Sequence, residues 1–134
     1  MSLDVLRFAL LRHTLPEGSE RLSHWDLLLE RDGVALTWAL EVLPAPWQPG
    51  AKDDCVVARR LADHRLLYLD FEGPLSNDRG HVARLAWGGC QWLCHSRERM
   101  EVQLTCAAWT VHSLLIPTDN GDEWHLTVQR ISER

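Results

Sequence analysis

Apolar and polar residues alternate in short blocks along most of this chain, the period of extended backbone, in which successive side chains point to opposite faces. Leu6 to His13 is a compact apolar run and predicts a first strand. Pro16, Gly18 and Ser19 make Thr14 to Arg21 a loop. Leu22 to Glu30 predicts a second strand, with Trp25, Leu27 and Leu29 on a core face and His24, Asp26, Leu28 and Glu30 on the other. Arg31-Asp32-Gly33 is a tight hairpin turn, because Asp-Gly suits the positive dihedrals such turns require. Its partner strand, Val34 to Leu40, sets Val34, Leu36, Trp38 and Leu40 on one side.

Pro44, Pro46, Pro49 and Gly50 predict a loop from Leu43 to Asp54, with Trp47 inside it, and Cys55 to Arg59 is another short strand. Leu61 to Asp70 carries Asp63-His64 ahead of Leu66, Leu67, Tyr68, Leu69 and Phe71, and Glu72-Gly73-Pro74 stops that run. Ser76 to Gly80 is turn-rich. Beyond it, alternation predicts a strand from His81 to Trp87, a turn at Gly88-Gly89 and a return strand from Cys90 to Cys94. Glu101 to Cys106, Trp109 to Ile116 and Trp124 to Gln129 complete the set. No stretch predicts a long amphipathic helix. Many short strands at regular turn spacing indicate one domain, a β-barrel or a sandwich.

With 134 residues the chain can bury a core without staples. Seven tryptophans against two phenylalanines and one tyrosine make tryptophan the expected aromatic filler of that core, with Trp47 expected to pack down over the barrel. A net charge of -5 excludes the global basic footprint of a typical nucleic-acid binder, though not a local basic patch. No apolar segment approaches a membrane span and no signal-peptide pattern is present, which leaves the cytoplasm as the default location. Cys55, Cys90, Cys94 and Cys106 form no CxxC pair and are expected to be mostly buried free thiols.

The chemistry suggested by spacing alone is modest. His24 and Asp26 lie two apart on one strand face, an imidazole and a carboxylate that suit a divalent metal. The same pattern also fits a half-buried strand with a polar solvated face.

Larger motifs sharpen this. His13, His24-Trp25-Asp26, the Glu30-Arg31-Asp32-Gly33 hairpin and Trp38-Ala39 resemble the opening of the 3′-phosphoesterase domain of bacterial DNA ligase D. Asp63-His64 to Tyr68 and Phe71-Glu72-Gly73 resemble that family's Asp-His-Pro…Tyr…Phe-Glu-Gly block. Trp87-Gly88-Gly89-Cys90-Gln91-Trp92 and Trp124-His125-Leu126 match its later motifs loosely. The resemblance implies a small, mostly antiparallel β-barrel with minor helical segments. It also implies manganese-dependent removal of a 3′-terminal ribonucleotide or 3′-phosphate from a primer end. His13, His24 and Asp26 would then hold Mn²⁺, with Zn²⁺ or another divalent ion as substitutes, and His64 and Tyr68 would serve the scissile phosphate. Nucleic-acid 3′ ends would be the partners, with a repair ligase or polymerase acting in trans and no membrane.

Departures from the family are specific. Leu28 stands where the family has an arginine able to clamp phosphate. The His13–His24 gap is longer than the family's, and its inserted loop brings Arg21 into play beside Arg12 as a possible phosphate contact. Arg79 is a third such contact, in the altered loop after Phe-Glu-Gly. Two other readings stay open: a non-catalytic relative that keeps the barrel and the metal, and a phosphoesterase for a small phosphorylated substrate.

Overall fold

A computed structural model describes residues 5–48 and 50–133. The chain is mostly β. The described residues form nine strands: β1 (Leu6–Thr14), β2 (His24–Arg31), β3 (Val34–Leu40), β4 (Asp53–His64), β5 (Gly73–Pro74), β6 (His81–His95), β7 (Met100–Thr105), β8 (Trp109–Pro117) and β9 (Glu123–Glu133). All neighbours are antiparallel, in the order β1-β2-β3-β4-β9-β8-β7-β6, and β6 returns to β1, so eight strands close a ring. Closure removes the exposed sheet edges that an open sheet of this size would present. The two-residue β5 is an appendage on the start of β6. Two 3₁₀ turns, Ala45–Trp47 and Leu66–Leu69, are the only helical elements among the described residues.

The hairpin between β2 and β3 forms as the sequence predicts. Arg31 pairs with Val34, and Asp32 and Gly33 both take positive φ, 52° and 83°. These are the dihedrals of a two-residue turn whose twist matches its strands. The barrel interior is lined by the inward residues of every long strand, among them Phe8, Leu10, Leu27, Leu29, Trp38, Leu40, Val102, Leu104, Leu115 and Leu126. Trp47 is buried and stacks on Trp109, ring centroids 6.2 Å apart, as a lid on one end of that core. Arg130 fastens this lid from β9, donating from Nε to the Pro46 carbonyl at 3.0 Å. Pro49, counted in the same predicted loop, lies outside the described residues.

Several expectations are corrected. Gly88-Gly89 is not a turn: β6 runs unbroken through it, pairing with β1 by its first part and with β7 by its second. A Cβ at Gly88 would collide with the Thr105 carbonyl oxygen, so this glycine marks a close backbone approach and not a reversal. β4 extends well past Arg59, to His64. The segment after it curls into the second 3₁₀ turn. Trp87 is not core; half exposed, it lies under the Arg84 guanidinium at 4.2 Å. Of the cysteines, all free, only Cys90 is buried, while Cys55 is exposed.

A second apolar cluster lies outside the barrel. Ala9, Leu11, Leu28 and Ala35 project from the outer face of β1–β3, and Leu69 of the second 3₁₀ turn covers them, with Leu66 and Tyr68 packed alongside. Part of the β2 face that the alternation also allowed to be solvated is therefore covered. Leu28 is completely buried there.

Candidate metal centre

The strands position the site through register. In the β1–β2 pair His13 stands directly opposite His24, and Asp26 follows two residues along the same outer face of β2. Side chains on one face of neighbouring strands stand close enough to touch, so antiparallel pairing alone brings the three groups together. The His13 and His24 rings meet edge to face with centroids 4.9 Å apart. His24 Nε2 lies 3.0 Å from Asp26 Oδ1, and His13 Nδ1 lies 3.6 Å from Asp26 Oδ2. One ligand atom from each residue falls within 4.8 Å of the others, a spacing that can hold a metal ion. His24 and Asp26 are buried, and His13 is partly so.

The far side of each ring is also occupied. His13 Nε2 lies 2.8 Å from the Arg79 carbonyl oxygen, and His24 Nδ1 lies 3.0 Å from the Leu22 carbonyl oxygen. A carbonyl oxygen only accepts, so both of these nitrogens carry the hydrogen. In the neutral rings, the lone pairs of His13 Nδ1 and His24 Nε2 then face the Asp26 carboxylate. Acceptors facing acceptors need a positive charge between them, a proton or a cation. Burial pushes the Asp26 carboxyl up, but hydrogen bonds from His13 and His24 outweigh it and hold the group down at about 2. His13 is raised, chiefly by its hydrogen bond to Asp26, against the opposing effect of its own burial. Asp26 Oδ1 is a buried oxygen without a hydrogen bond of good geometry. The donor set fits a divalent cation: two imidazole nitrogens with their other nitrogens tied to backbone, and one carboxylate.

These groups border a cavity of about 680 Å³. His64 and Tyr68 lie on its wall, with ring centroids 5.7 Å apart. The end of β4 and the second 3₁₀ turn bring them there, so their proximity does not come from alternation along one strand. His64 donates from Nδ1 to the Ala62 carbonyl at 3.0 Å, which leaves Nε2 open. Arg21 also borders the cavity, but Arg12 does not: its guanidinium stacks 4.2 Å over Trp25. Arg79 borders it with its guanidinium tied to its own turn, by Nε to the Ser76 carbonyl and by Nη2 to Ser76 Oγ, both at 3.0 Å. Its carbonyl is the group that reaches His13.

Three features were not read from the sequence. Arg65 borders the cavity and is exposed. Gly80, at φ 94°, lets the 76–80 turn descend onto the end of β1; a Cβ there would collide with the Thr14 carbonyl oxygen. That descent puts the Arg79 carbonyl within reach of His13. An ion network ties down the segment bearing Tyr68. Arg7 bonds both Glu30 and Asp70, at 3.2 and 3.1 Å, and Arg84 lies near Asp70 and Glu72. The turn chemistry of Asn77-Asp78 was legible, but nothing local says what a turn lands on.

Compared with known proteins, the chain matches no family model and no curated protein. Among the described residues no helix is long and apolar enough to cross a membrane.

Proposed function

We propose that this chain is a divalent-metal-dependent phosphoesterase of the kind that trims a 3′-terminal ribonucleotide or a 3′-phosphate from a primer end, with Mn²⁺ as its metal. The observation that carries the reading is the convergence of His13, His24 and Asp26 at a cavity that also holds His64 and Tyr68. A bound divalent ion would supply positive charge against the phosphoryl oxygens and leave positions open for water and substrate.

The chain's own residues account for the rest. Asp26 and the two histidines are fixed on paired strands, so the metal position costs little reorganisation. The open Nε2 of His64, when protonated, gives its proton to the leaving oxygen as water adds to phosphorus and the P–O ester bond breaks. Tyr68, edge to face with His64, holds that ring and offers its hydroxyl to a phosphoryl oxygen. A small phosphate ester is the second reading, favoured by the acidic balance of the chain.

The test is a Mn²⁺ titration followed by electron paramagnetic resonance, then an assay on primers ending in one ribonucleotide or a 3′-phosphate. Stoichiometric binding lost in His24→Ala, with product above that variant's level, is the expected result. Binding without product on either primer, but with product from small phosphoesters, selects the second reading. Binding without any product points to the non-catalytic relative, and no binding refutes the metal centre.

A further inference from the structure

Two arginines at the cavity are used by nothing else among the described residues. Arg21, from the loop between β1 and β2, and Arg65, from the junction of β4 with the second 3₁₀ turn, both border it. Neither has a hydrogen-bond, ion-pair or ring partner among the described residues. The other guanidiniums nearby are engaged: Arg79 with Ser76, Arg60 with Asp63, Arg7 and Arg84 with the ion network.

The strand position from which an arginine would grip phosphate is closed. Leu28 is fully buried under Leu69 in the outer apolar cluster, on the covered side of the site. A phosphoryl group seated against His13, His24 and Asp26 needs guanidinium donors from elsewhere, and two of the segments that border the cavity each bring one without a partner among the described residues.

Resting on the phosphoesterase reading, we infer that Arg21 and Arg65 are the anion clamp of this site, and that it receives one phosphoryl group and does not track a phosphate backbone. Two guanidiniums from different segments can each direct paired N–H donors at one phosphoryl group. Glu20 and Asp78 also border the cavity. Their charges offset the two arginines at a distance, so a polyanion gains no long-range pull. A phosphoryl group inside the cavity still meets the donors directly.

The experiment uses inorganic phosphate as probe. Mn²⁺ affinity is measured first on the wild type, Arg21→Gln, Arg65→Gln, the double variant and Arg97→Gln, whose exposed arginine does not border the cavity. Phosphate is then titrated calorimetrically into each protein, metal-saturated and metal-free. Each clamp variant is expected to lose about tenfold in phosphate affinity and the double variant about a hundredfold, the scale of hydrogen bonds to a charged group. Mn²⁺ affinity and Arg97→Gln stay at wild-type values. Phosphate affinity within twofold of wild type in both single variants overturns the clamp. An equal loss in Arg97→Gln overturns it too, since the effect would then be one of general charge. Failure to bind Mn²⁺ refutes the metal centre alone, because the metal-free titrations still read the clamp. A primer affinity that falls steeply with salt, as when many phosphates are contacted, would overturn the single-group part.

Discussion

Truncating Leu69 to alanine separates the two halves of the site. Leu69 is 2% exposed and is the plug by which the second 3₁₀ turn sits on Ala9, Leu11, Leu28 and Ala35. Removing a buried leucine side chain costs about 2–5 kcal/mol, and the low end, about 2–3 kcal/mol, applies where the surroundings can collapse or rehydrate. A small cluster under one turn is such a place. The Arg7–Asp70 and Arg84–Asp70 pairs remain, but exposed ion pairs contribute only about 0–1 kcal/mol each. The cost therefore appears as local opening of residues 64–70 while the barrel stays shut. At 1.4 kcal/mol per factor of ten, amide exchange in that segment should rise roughly 30- to 150-fold. His13, His24 and Asp26 hang from β1 and β2, so Mn²⁺ affinity should stay within about threefold of wild type. Turnover should fall at least tenfold, because His64 and Tyr68 lose their placement. Hydrogen exchange, metal titration and primer trimming read the three quantities separately. A Mn²⁺ affinity that falls as far as turnover would refute the reasoning, since the covering turn and the metal strands would then be one cooperative unit.

Four further outcomes follow from single contacts. Leu28→Arg, which installs the arginine expected from the resemblance, should fail to gain activity and should lower the melting temperature by roughly 10 °C or more, because it buries an unpaired charge in a packed apolar cluster; circular dichroism decides it. Gly80→Ala should weaken Mn²⁺ binding about 10- to 100-fold, by moving the Arg79 carbonyl off His13. Gly50→Ala, also at positive φ but with open space around it, should leave Mn²⁺ binding unchanged. The Cys90 thiol, pushed up to about 12 by burial and secondarily by the Glu30 charge, should resist iodoacetamide until the protein unfolds, whereas Cys55 reacts in the native state, as mass spectrometry of labelled peptides will show. Glu101 is held below its ordinary range by its hydrogen bond to His112 and then by Arg99. A depressed folded value stabilises above the unfolded one and the benefit vanishes as pH falls through the folded value, so Glu101→Gln should lower the melting temperature at pH 7 and not in strong acid.

Alternation made the strands, the β2–β3 hairpin and the inward faces legible, because each is a local consequence of where one residue's neighbours point. It also placed His24 and Asp26 on one face. What it left open is whether an outward face meets water or a second layer. That depends on Leu69, more than forty residues beyond Leu28, and on Glu30 and Asp70 both reaching Arg7. The Gly88-Gly89 error has the same origin: a glycine pair reads as a turn locally, while its reason for being there is the Thr105 carbonyl on another strand. Arg12 lies off the cavity for a simpler cause. It alternates with His13, so the strand that presents the histidine to the cavity turns Arg12 to the other side, over Trp25.

Leu28 sits where the open and covered parts of β2 meet. On sequence alone it reads as a missing phosphate grip and weakens the case for catalysis. In the fold, the outer face of β2 is divided along its length. Its first part, His24 and Asp26, opens to the cavity, and Leu28 begins the apolar bed on which the turn bearing Tyr68 is seated. An arginine at 28 would unseat that turn and Tyr68 with it. The substitution and the 3₁₀ cover are thus one design choice: covering the strand with Leu69 fixes Tyr68 and sets its ring against His64, and it obliges any phosphate grip to come from the cavity's border. Arg21 and Arg65, without partners among the described residues, stand on that border.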